Sequence, residues 1–260
     1  MIDVILQEFP KIFPQIDTAL GVGFLVFVRL LGMMRFAPVF NRKELPAMVK
    51  ISFAIIFTII MVMVIKPTPP PQGTKFVYSI LINFAFGALI GYIANCILAV
   101  VEAGGDMINM QMGLSSAMVL DPTSQTQISI LGSFFSLLGV IMFMQIGGIY
   151  WLFNAFIRSF TIFPLTAHAI PLTKIINLPY LVTITSNVLY VGLQIAAPIL
   201  LATLGQDIIL GIISKTAPQI NVFQLSFLFK PVFGAAILLW IMPMLYNVIN
   251  DFFLSFSHIF

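Results

Sequence analysis

A chain of 260 residues in which 60% are hydrophobic and only 8% are charged is too apolar for a soluble globular domain, which carries roughly 25% charged residues. Its formal net charge is +3, and its 12 Lys and Arg residues never form the basic cluster that nucleic-acid binding requires. The composition therefore predicts a membrane protein in contact with lipid and excludes nucleic acid as a partner.

Six apolar blocks follow one another along the chain and predict an all-α membrane protein. They cover residues 19–40, 51–65, 76–101, 128–163, 181–213 and 222–256. A straight crossing of a bilayer takes about 20 residues, but the second block is shorter than this and the fourth and fifth are much longer. The blocks therefore predict a mixture of membrane spans, broken helices and helical hairpins.

The first block contains two arginines, Arg29 and Arg35, which are six positions apart. At about 100° per residue this spacing places them on different sides of a helix, so they do not form one charged stripe. Each arginine needs its own partner or must extend to the membrane surface. We expect Arg29 to be paired inside the protein, Arg35 to lie at the interface, and Pro38 to end the helix.

The second block has positive charge at both ends. Arg42, Lys43 and Lys50 precede it, and Lys66 and Lys75 follow it. Because Lys and Arg normally mark one side of the membrane, two interpretations stay open. With both ends on one side, the block is a re-entrant hairpin or is packed in protein; otherwise it is a short tilted span with a weak topology signal.

The segment of residues 102–122, between the third and fourth blocks, differs from the rest of the chain. It reads E-A-G-G-D-M-I-N-M-Q-M-G-L-S-S-A-M-V-L-D-P and combines carboxylates, glycines and methionines. Irregular backbone at membrane depth is tolerated only where it is buried in protein or lines a water-filled passage. Ionisable residues at that depth indicate a functional site. We predict that this segment is a loop that forms the wall or plug of a pore.

Two later features interrupt the apolar helices. Pro198 must kink or end its helix, and Asp207 fits either an ion or proton carrier or an interfacial cap. The stretch K-T-A-P-Q-I-N-V-F then places Pro218, Gln219 and Asn221 between two long apolar helices. Because lipid offers no hydrogen-bond partner to side-chain amides, we predict a structured turn at a subunit contact.

No pattern in the sequence indicates catalysis, a metal or a cofactor. The single cysteine, Cys96, lies in an apolar block, where we expect a small buried hydrophobic residue. His168 has no second histidine or carboxylate at metal-ligand spacing. The motifs H-E-x-x-H, G-x-S-x-G and the phosphate-binding glycine loop are absent from the sequence. We therefore predict a non-enzymatic protein without a cofactor.

Three stretches together resemble the FliR family. They are R-L-L-G-M-M-R-F-A-P-V-F followed by Pro46, the central A-G-G-D-M-I-N-M-Q-M-G-L-S-S-A-M-V-L-D-P, and the late A-P-Q-I-N-V-F-Q-L-S-F-L-F-K-P. The resemblance covers nearly the whole chain in length, order of blocks and loop placement. FliR proteins are export-gate subunits of bacterial flagella, and SctT is their counterpart in virulence secretion systems.

The resemblance implies one export-gate domain over residues 1–260, with its helical hairpins lifted partly out of the bilayer. It implies a helical assembly with FliP-like and FliQ-like subunits in the inner membrane, at the flagellar basal body, in contact with an FlhB-like subunit. Exported unfolded polypeptides would pass through this assembly. The length and the loops favour the flagellar branch, and the virulence branch is the alternative.

The resemblance further implies that the central loop, residues 104–120, plugs the closed channel. Methionine is unbranched and polarizable, so a methionine collar can deform around a polypeptide and close against ions, while glycines let the loop change conformation. The predicted plug residues are Gly104, Gly105, Met107, Met110, Gln111, Met112, Gly113, Leu114 and Met118, and the predicted subunit-contact residues are Arg35, Pro38, Pro218, Gln219 and Asn221.

A proton-coupled transporter of small solutes is the alternative class of function. Its candidate charges inside the membrane are Arg29, Glu102, Asp106 and Asp207. Transporter folds are usually built from internal repeats, and the central segment has no twin in either half of the chain. The sequence therefore favours a protein-conducting gate over a solute transporter.

Overall fold

The computed structural model of the chain describes residues 14–42, 45–64, 74–114, 119–120, 127–165 and 178–256. Within these residues the chain is almost entirely helical, and one pair of two-residue strands lies between the third and fourth helices. This confirms the prediction of an all-α protein. The helices are α1 (Pro14–Phe36), α2 (Ala47–Val64), α3 (Thr74–Gln111), α4 (Ile130–Gln145), α5 (Gly148–Ile162), α6 (Leu178–Thr216) and α7 (Val222–Ser255), and β1 (Val119–Leu120) pairs antiparallel with β2 (Gln127–Ile128).

Five of the described helices are long and apolar enough to cross a membrane, namely α1, α2, α3, α6 and α7. The helices α4 and α5 are long and apolar enough only as a pair, which forms either a broken span or a re-entrant loop. Only 17% of the membrane-length apolar stretch of α2 and 22% of that of α7 is buried inside the chain. So much exposed apolar surface does not face water in a stable protein, and the chain is a multi-pass membrane protein.

The break between α4 and α5 is set by two glycines. Gly147 has a φ of +81°, a conformation that glycine adopts without steric cost, and its N–H donates to the carbonyl oxygen of Met144 at 3.1 Å. A Cβ on Gly148 would collide with the ring of Phe143. The fourth block therefore contains one of the broken helices that the lengths of the apolar blocks predicted.

The second and fifth blocks form continuous helices. The helix α2 shows no interruption over its 18 residues, so the re-entrant hairpin interpretation is wrong. Its length and composition fit the short span. Pro198 lies inside α6, which continues to Thr216. Proline removes one backbone donor, and the remaining hydrogen bonds of this long helix are sufficient to carry it past that position.

The chain divides into two compact units. The first comprises Met1–Asn95 and Tyr150–Leu178, and the second comprises Cys96–Ile149 and Pro179–Phe260. In the first unit, α1 and α3 approach so closely that a Cβ on Gly87 would collide with the backbone oxygen of Arg29. Small residues permit such close backbone contact between membrane helices.

Candidate functional site

The segment predicted to be the plug begins as helix. The helix α3 continues through Gly104 and Gly105 to Gln111, so the prediction of a loop is wrong for residues 104–111. Each glycine inside a helix costs roughly 1 kcal/mol relative to alanine. Local sequence therefore favours a break here, and the contacts of α3 with other helices must offset that preference.

Those contacts are made at the two glycines themselves. A Cβ on Gly104 would lie 2.9 Å from the Cγ2 of Ile195 in α6. A Cβ on Gly105 would lie 2.8 Å from the backbone oxygen of Leu131 in α4. The glycines therefore let α3 pack closely against two neighbouring helices.

Gly113 determines where the chain leaves α3. The N–H of Met112 donates to the carbonyl oxygen of Ile108 at 2.9 Å, and the N–H of Gly113 donates to that of Met110 at 3.1 Å. The φ of Gly113 is +73°, in the left-handed region that glycine tolerates. An added Cβ would meet nothing within 4 Å, so the glycine is required by backbone conformation alone.

Replacing Gly113 with alanine should lower the free energy of unfolding by about 1–2 kcal/mol, because an L side chain is strained in the left-handed region. Asparagine visits that region more readily, so Gly113→Asn should lose less. Thermal unfolding of the purified protein in detergent measures both variants. An equal loss in the two would show that the cost does not arise from backbone conformation.

The methionines of the segment lie in different environments. Met112 is 2% exposed and Met110 is 66% exposed, while Met107 is half-buried. Met112 packs against α7, where a Cβ on Gly234 would come within 2.6 Å of the Met112 Cγ. Met118 lies outside the described residues. The predicted collar is thus divided into an anchored Met112 and an exposed Met110.

The two remaining residues of the segment are less distinctive, since Gln111 and Leu114 are both half-buried. They flank Met112 and Gly113 at the end of α3. Their side chains are neither sealed in the core nor fully presented outside the chain. The exposed part of the described segment therefore centres on Met110.

Two polar residues of α3 meet the N-terminus of α4. The Oδ1 of Asn109 accepts from the Leu131 N–H at 3.4 Å, and a Cβ on Gly132 would collide with the Oδ1 of Asp106. The positive end of the helix dipole favours a carboxylate at this place. The Ser129 Oγ accepts from the Gly132 N–H at 3.0 Å and completes the cap. Asp106 therefore supports the start of α4, which accounts for it without an ion-carrier role.

Asp207 has a partner on the neighbouring helix. Its carboxylate lies 2.7 Å from the Nζ of Lys230 in α7. An acidic residue inside an apolar helix is normally paired with a cation. Of the alternatives that the sequence left open for Asp207, the structure supports neither, because the carboxylate forms an ion pair between α6 and α7.

Three of the predicted subunit-contact residues lie in the connection between α6 and α7. Pro218 and Gln219 are exposed in the turn. Asn221 is the N-cap of α7, and its Oδ1 accepts from the Gln224 N–H at 3.2 Å. The amide of Asn221 thus finds a partner within its own chain, whereas Gln219 presents its side chain outward.

The other two predicted contact residues follow α1 or lie at its end. Arg35 is exposed, and its Nη1 donates to the Oδ1 of Asn41 at 2.9 Å. Pro38 is buried and directly follows the end of α1. Arg35 is therefore accessible to a second protein in the described structure, and Pro38 is covered by its own chain.

Arg29 is the centre of a buried polar network in the first unit. It is 0% exposed, and its Nε and Nη2 donate to the Oδ1 of Asn83 at 2.9 and 2.6 Å. Its Nη1 donates to the Ser159 Oγ at 3.1 Å. Its Nη2 also donates to the Phe163 carbonyl oxygen at 2.9 Å, and its guanidinium lies 4.5 Å from the centre of the Phe160 ring.

This network explains how a cation is stable in an apolar core. Phe163 directly follows α5, and the C-terminal end of a helix favours positive charge. The prediction that Arg29 is paired inside the protein is confirmed. Sequence reasoning missed Asn83 and Ser159, although an asparagine inside the apolar run L-I-N-F-A-F is a signal that could have identified the first of them.

Comparison with known proteins gives matches over most of the chain. Residues 20–256 match the family model described as "Bacterial export proteins, family 1". The flagellar biosynthetic protein FliR of Escherichia coli (strain K12) is 24% identical over 228 residues, which cover 87% of this chain and 86% of that protein. FliR of Bacillus subtilis (strain 168) is 26% identical over 231 residues, covering 88% and 89%. The surface presentation of antigens protein SpaR of Salmonella typhimurium (strain LT2) is 23% identical over 235 residues, covering 90% and 87%.

Proposed function

The chain belongs to the bacterial export proteins of family 1, and on that basis we propose that it is a non-enzymatic subunit of the flagellar protein export gate in the inner membrane. The observation that carries the proposal is the family match over residues 20–256. The similarity to FliR proteins of several bacteria supports the flagellar branch. The energy for export would come from other components, since the sequence has no phosphate-binding glycine loop with its lysine.

The subunit would work in an assembly with FliP-like and FliQ-like subunits at the flagellar basal body, in contact with an FlhB-like subunit. Large apolar side chains on its long helices support such partners. Trp240 is 83% exposed and Leu239 is 72% exposed on α7. These side chains would be covered by lipid or by the apolar helices of the other subunits, and exported unfolded polypeptides would pass along the assembly.

The plug of the closed channel would be the segment of residues 104–114 together with Met118. The exposed Met110 beside the turn at Gly113 supports this assignment. An unbranched thioether side chain adapts to polypeptides of varied sequence. The buried Met112 would hold the segment in place while Met110 contacts the path.

Virulence secretion is the second candidate function. The similarity to SpaR covers 90% of the chain, which is as extensive as the similarity to the FliR proteins. Deletion of the gene distinguishes the two. Loss of flagellar filaments with secretion of virulence proteins intact would support the flagellar branch, and the reverse result would support the virulence branch.

A photo-crosslinking amino acid at Met110 should form a covalent adduct with an export substrate that is stalled in transit by a fused, tightly folded domain. Met110 is suitable because its side chain is 66% exposed. The matched control is Met63, an 82% exposed methionine on α2, which should give no adduct. If both positions react equally, or if Met110 gives no adduct in an assembled gate, the segment does not lie on the polypeptide path.

Replacing Gln219 with leucine should reduce recovery of the assembled gate, because an exposed amide at a subunit contact would lose its hydrogen bonds to the partner. The control is Asn221→Ser, since serine preserves the N-cap of α7. Co-purification of the chain with the other gate subunits measures assembly. If the complex is fully recovered with Gln219→Leu, Gln219 is not part of the proposed subunit contact.

A further inference from the structure

Gly234 forms a notch in α7 that receives the Met112 side chain. It is one of the few buried positions of α7. A Cβ at this position would come within 2.6 Å of the Met112 Cγ, 2.9 Å of its Cε and 3.0 Å of its Sδ. The whole outer part of the methionine side chain therefore occupies the volume that any other residue at position 234 would fill. We call this contact the Gly234 seat.

The contact joins the end of the proposed plug to a separate helix. Met112 is the last residue before the left-handed turn at Gly113, so its side chain is anchored at the place where the chain leaves α3. Because Met112 is 2% exposed while Met110 is 66% exposed, the first holds the segment and the second is presented outward. Release of Met112 from the seat would free the end of α3.

The part of α7 that carries the seat contains a proline and an ion pair. Pro231, three residues before Gly234, lies inside the helix and cannot donate a backbone hydrogen bond, which is a common origin of helix bending. The neighbouring Lys230 is tied to Asp207 of α6 at 2.7 Å. The seat therefore lies beside both a proline of α7 and the ion pair that joins α7 to α6.

We propose that the seating of Met112 against Gly234 is a latch that holds the export gate closed, and that export requires Met112 to leave the seat. This inference rests on the proposed function of the segment as the plug. Methionine suits a reversible contact because its unbranched side chain can leave by rotation about its own bonds. The backbone of α3 and α7 does not have to break for that release.

A reversible disulfide in the seat tests the latch. Since one C–C bond of about 1.5 Å separates Cβ from Cγ in Met112, its Cβ lies no more than about 4.1 Å from the Cβ of a side chain at position 234. This is within the roughly 3.5–4.5 Å that disulfides span. In a Cys96→Ala background, the pair Met112→Cys and Gly234→Cys should cross-link under a mild oxidant. Export should then be lost, and a reductant should restore it.

The control is a second disulfide in the same unit, away from the seat. A Cβ on Gly139 of α4 would lie 3.3 Å from the Cβ of Val101 in α3. This is slightly below the range that disulfides span, so a small shift of the two helices lets Val101→Cys and Gly139→Cys form a pair. Under oxidant this pair should leave export intact. A seat disulfide that forms without loss of export would overturn the latch, and so would equal loss of export from both pairs. Failure of the seat pair to cross-link would refute the contact itself.

A large side chain at position 234 gives a second test of the latch. Gly234→Leu should expel Met112 and make membranes with the assembled gate permeable to ions, whereas Gly211→Leu, at an open position of α6, should leave them tight. Tight membranes with an assembled Gly234→Leu gate would overturn the latch. The result is independent of the adduct at Met110. If Met110 forms the adduct but the seat variants have no effect, the plug assignment stands and the latch is wrong. If the seat variants act but Met110 forms no adduct, the latch lies outside the polypeptide path.

Discussion

Replacing Arg29 with methionine should destabilise the protein by at least about 3 kcal/mol, since each buried acceptor left without a donor costs roughly 1–3 kcal/mol. The substitution removes the donors of Asn83, Ser159 and the Phe163 carbonyl. Methionine preserves most of the apolar stem, so the loss reports on the hydrogen bonds. We expect a lower unfolding temperature in detergent and little or no chain in the assembled gate.

The control for this variant is Arg35→Met, because Arg35 is exposed and makes one hydrogen bond to Asn41. Its loss of unfolding free energy should stay below about 1 kcal/mol. The double variant Arg29→Met with Ser159→Ala removes a donor and an acceptor together and should recover part of the loss. If the double variant is less stable than Arg29→Met alone, the orphaned Ser159 acceptor is not the source of the cost.

Replacing Gly87 with alanine should cost at least about 3 kcal/mol, at the upper end of what overpacking of a core produces. The added Cβ would collide with the backbone oxygen of Arg29 and would lie 2.9 Å from the backbone nitrogen of Met33. Backbone atoms cannot rotate away as a side chain can, so α1 and α3 would have to separate. That separation would also stretch the hydrogen bonds of Arg29.

Gly211→Ala is the matched control, since a Cβ at this helical position meets nothing within 4 Å. Alanine has the higher helix propensity, so Gly211→Ala should stabilise the protein by up to about 1 kcal/mol. Unfolding temperature in detergent and yield of the assembled gate measure both variants. A Gly87→Ala protein as stable as the wild type would mean that the two helices are not in backbone contact at this point.

The central segment shows where sequence reasoning succeeds and where it fails. The pattern of carboxylates, glycines and methionines singled out residues 102–122, and the end of α3 with its turn at Gly113 does lie there. The sequence places the start of the loop too early, at residue 104, because glycine lowers helix propensity. The contacts that keep Gly104 and Gly105 helical come from Ile195 and Leu131, which no local pattern connects with them.

The sequence by itself determined the class of protein, the apolar blocks and the need for a buried partner for Arg29. These features depend on composition, on hydrophobic runs and on the conformational limits of glycine and proline, all of which are local. The same local features were enough to identify the family resemblance. Such local properties depend only on residues that are neighbours in the sequence, so they can be predicted without the tertiary fold.

Only the tertiary structure decided which residues meet. Asn83 is 54 positions from Arg29 and Ser159 is 130 positions away, and the Gly234 seat lies on a helix that begins more than a hundred residues after Met112. The choice of partner depends on which helix faces come together, which the near-uniform hydrophobicity of α3 and α7 does not encode. For the same reason, exposure separated Met110 from Met112, two methionines that the sequence presents alike.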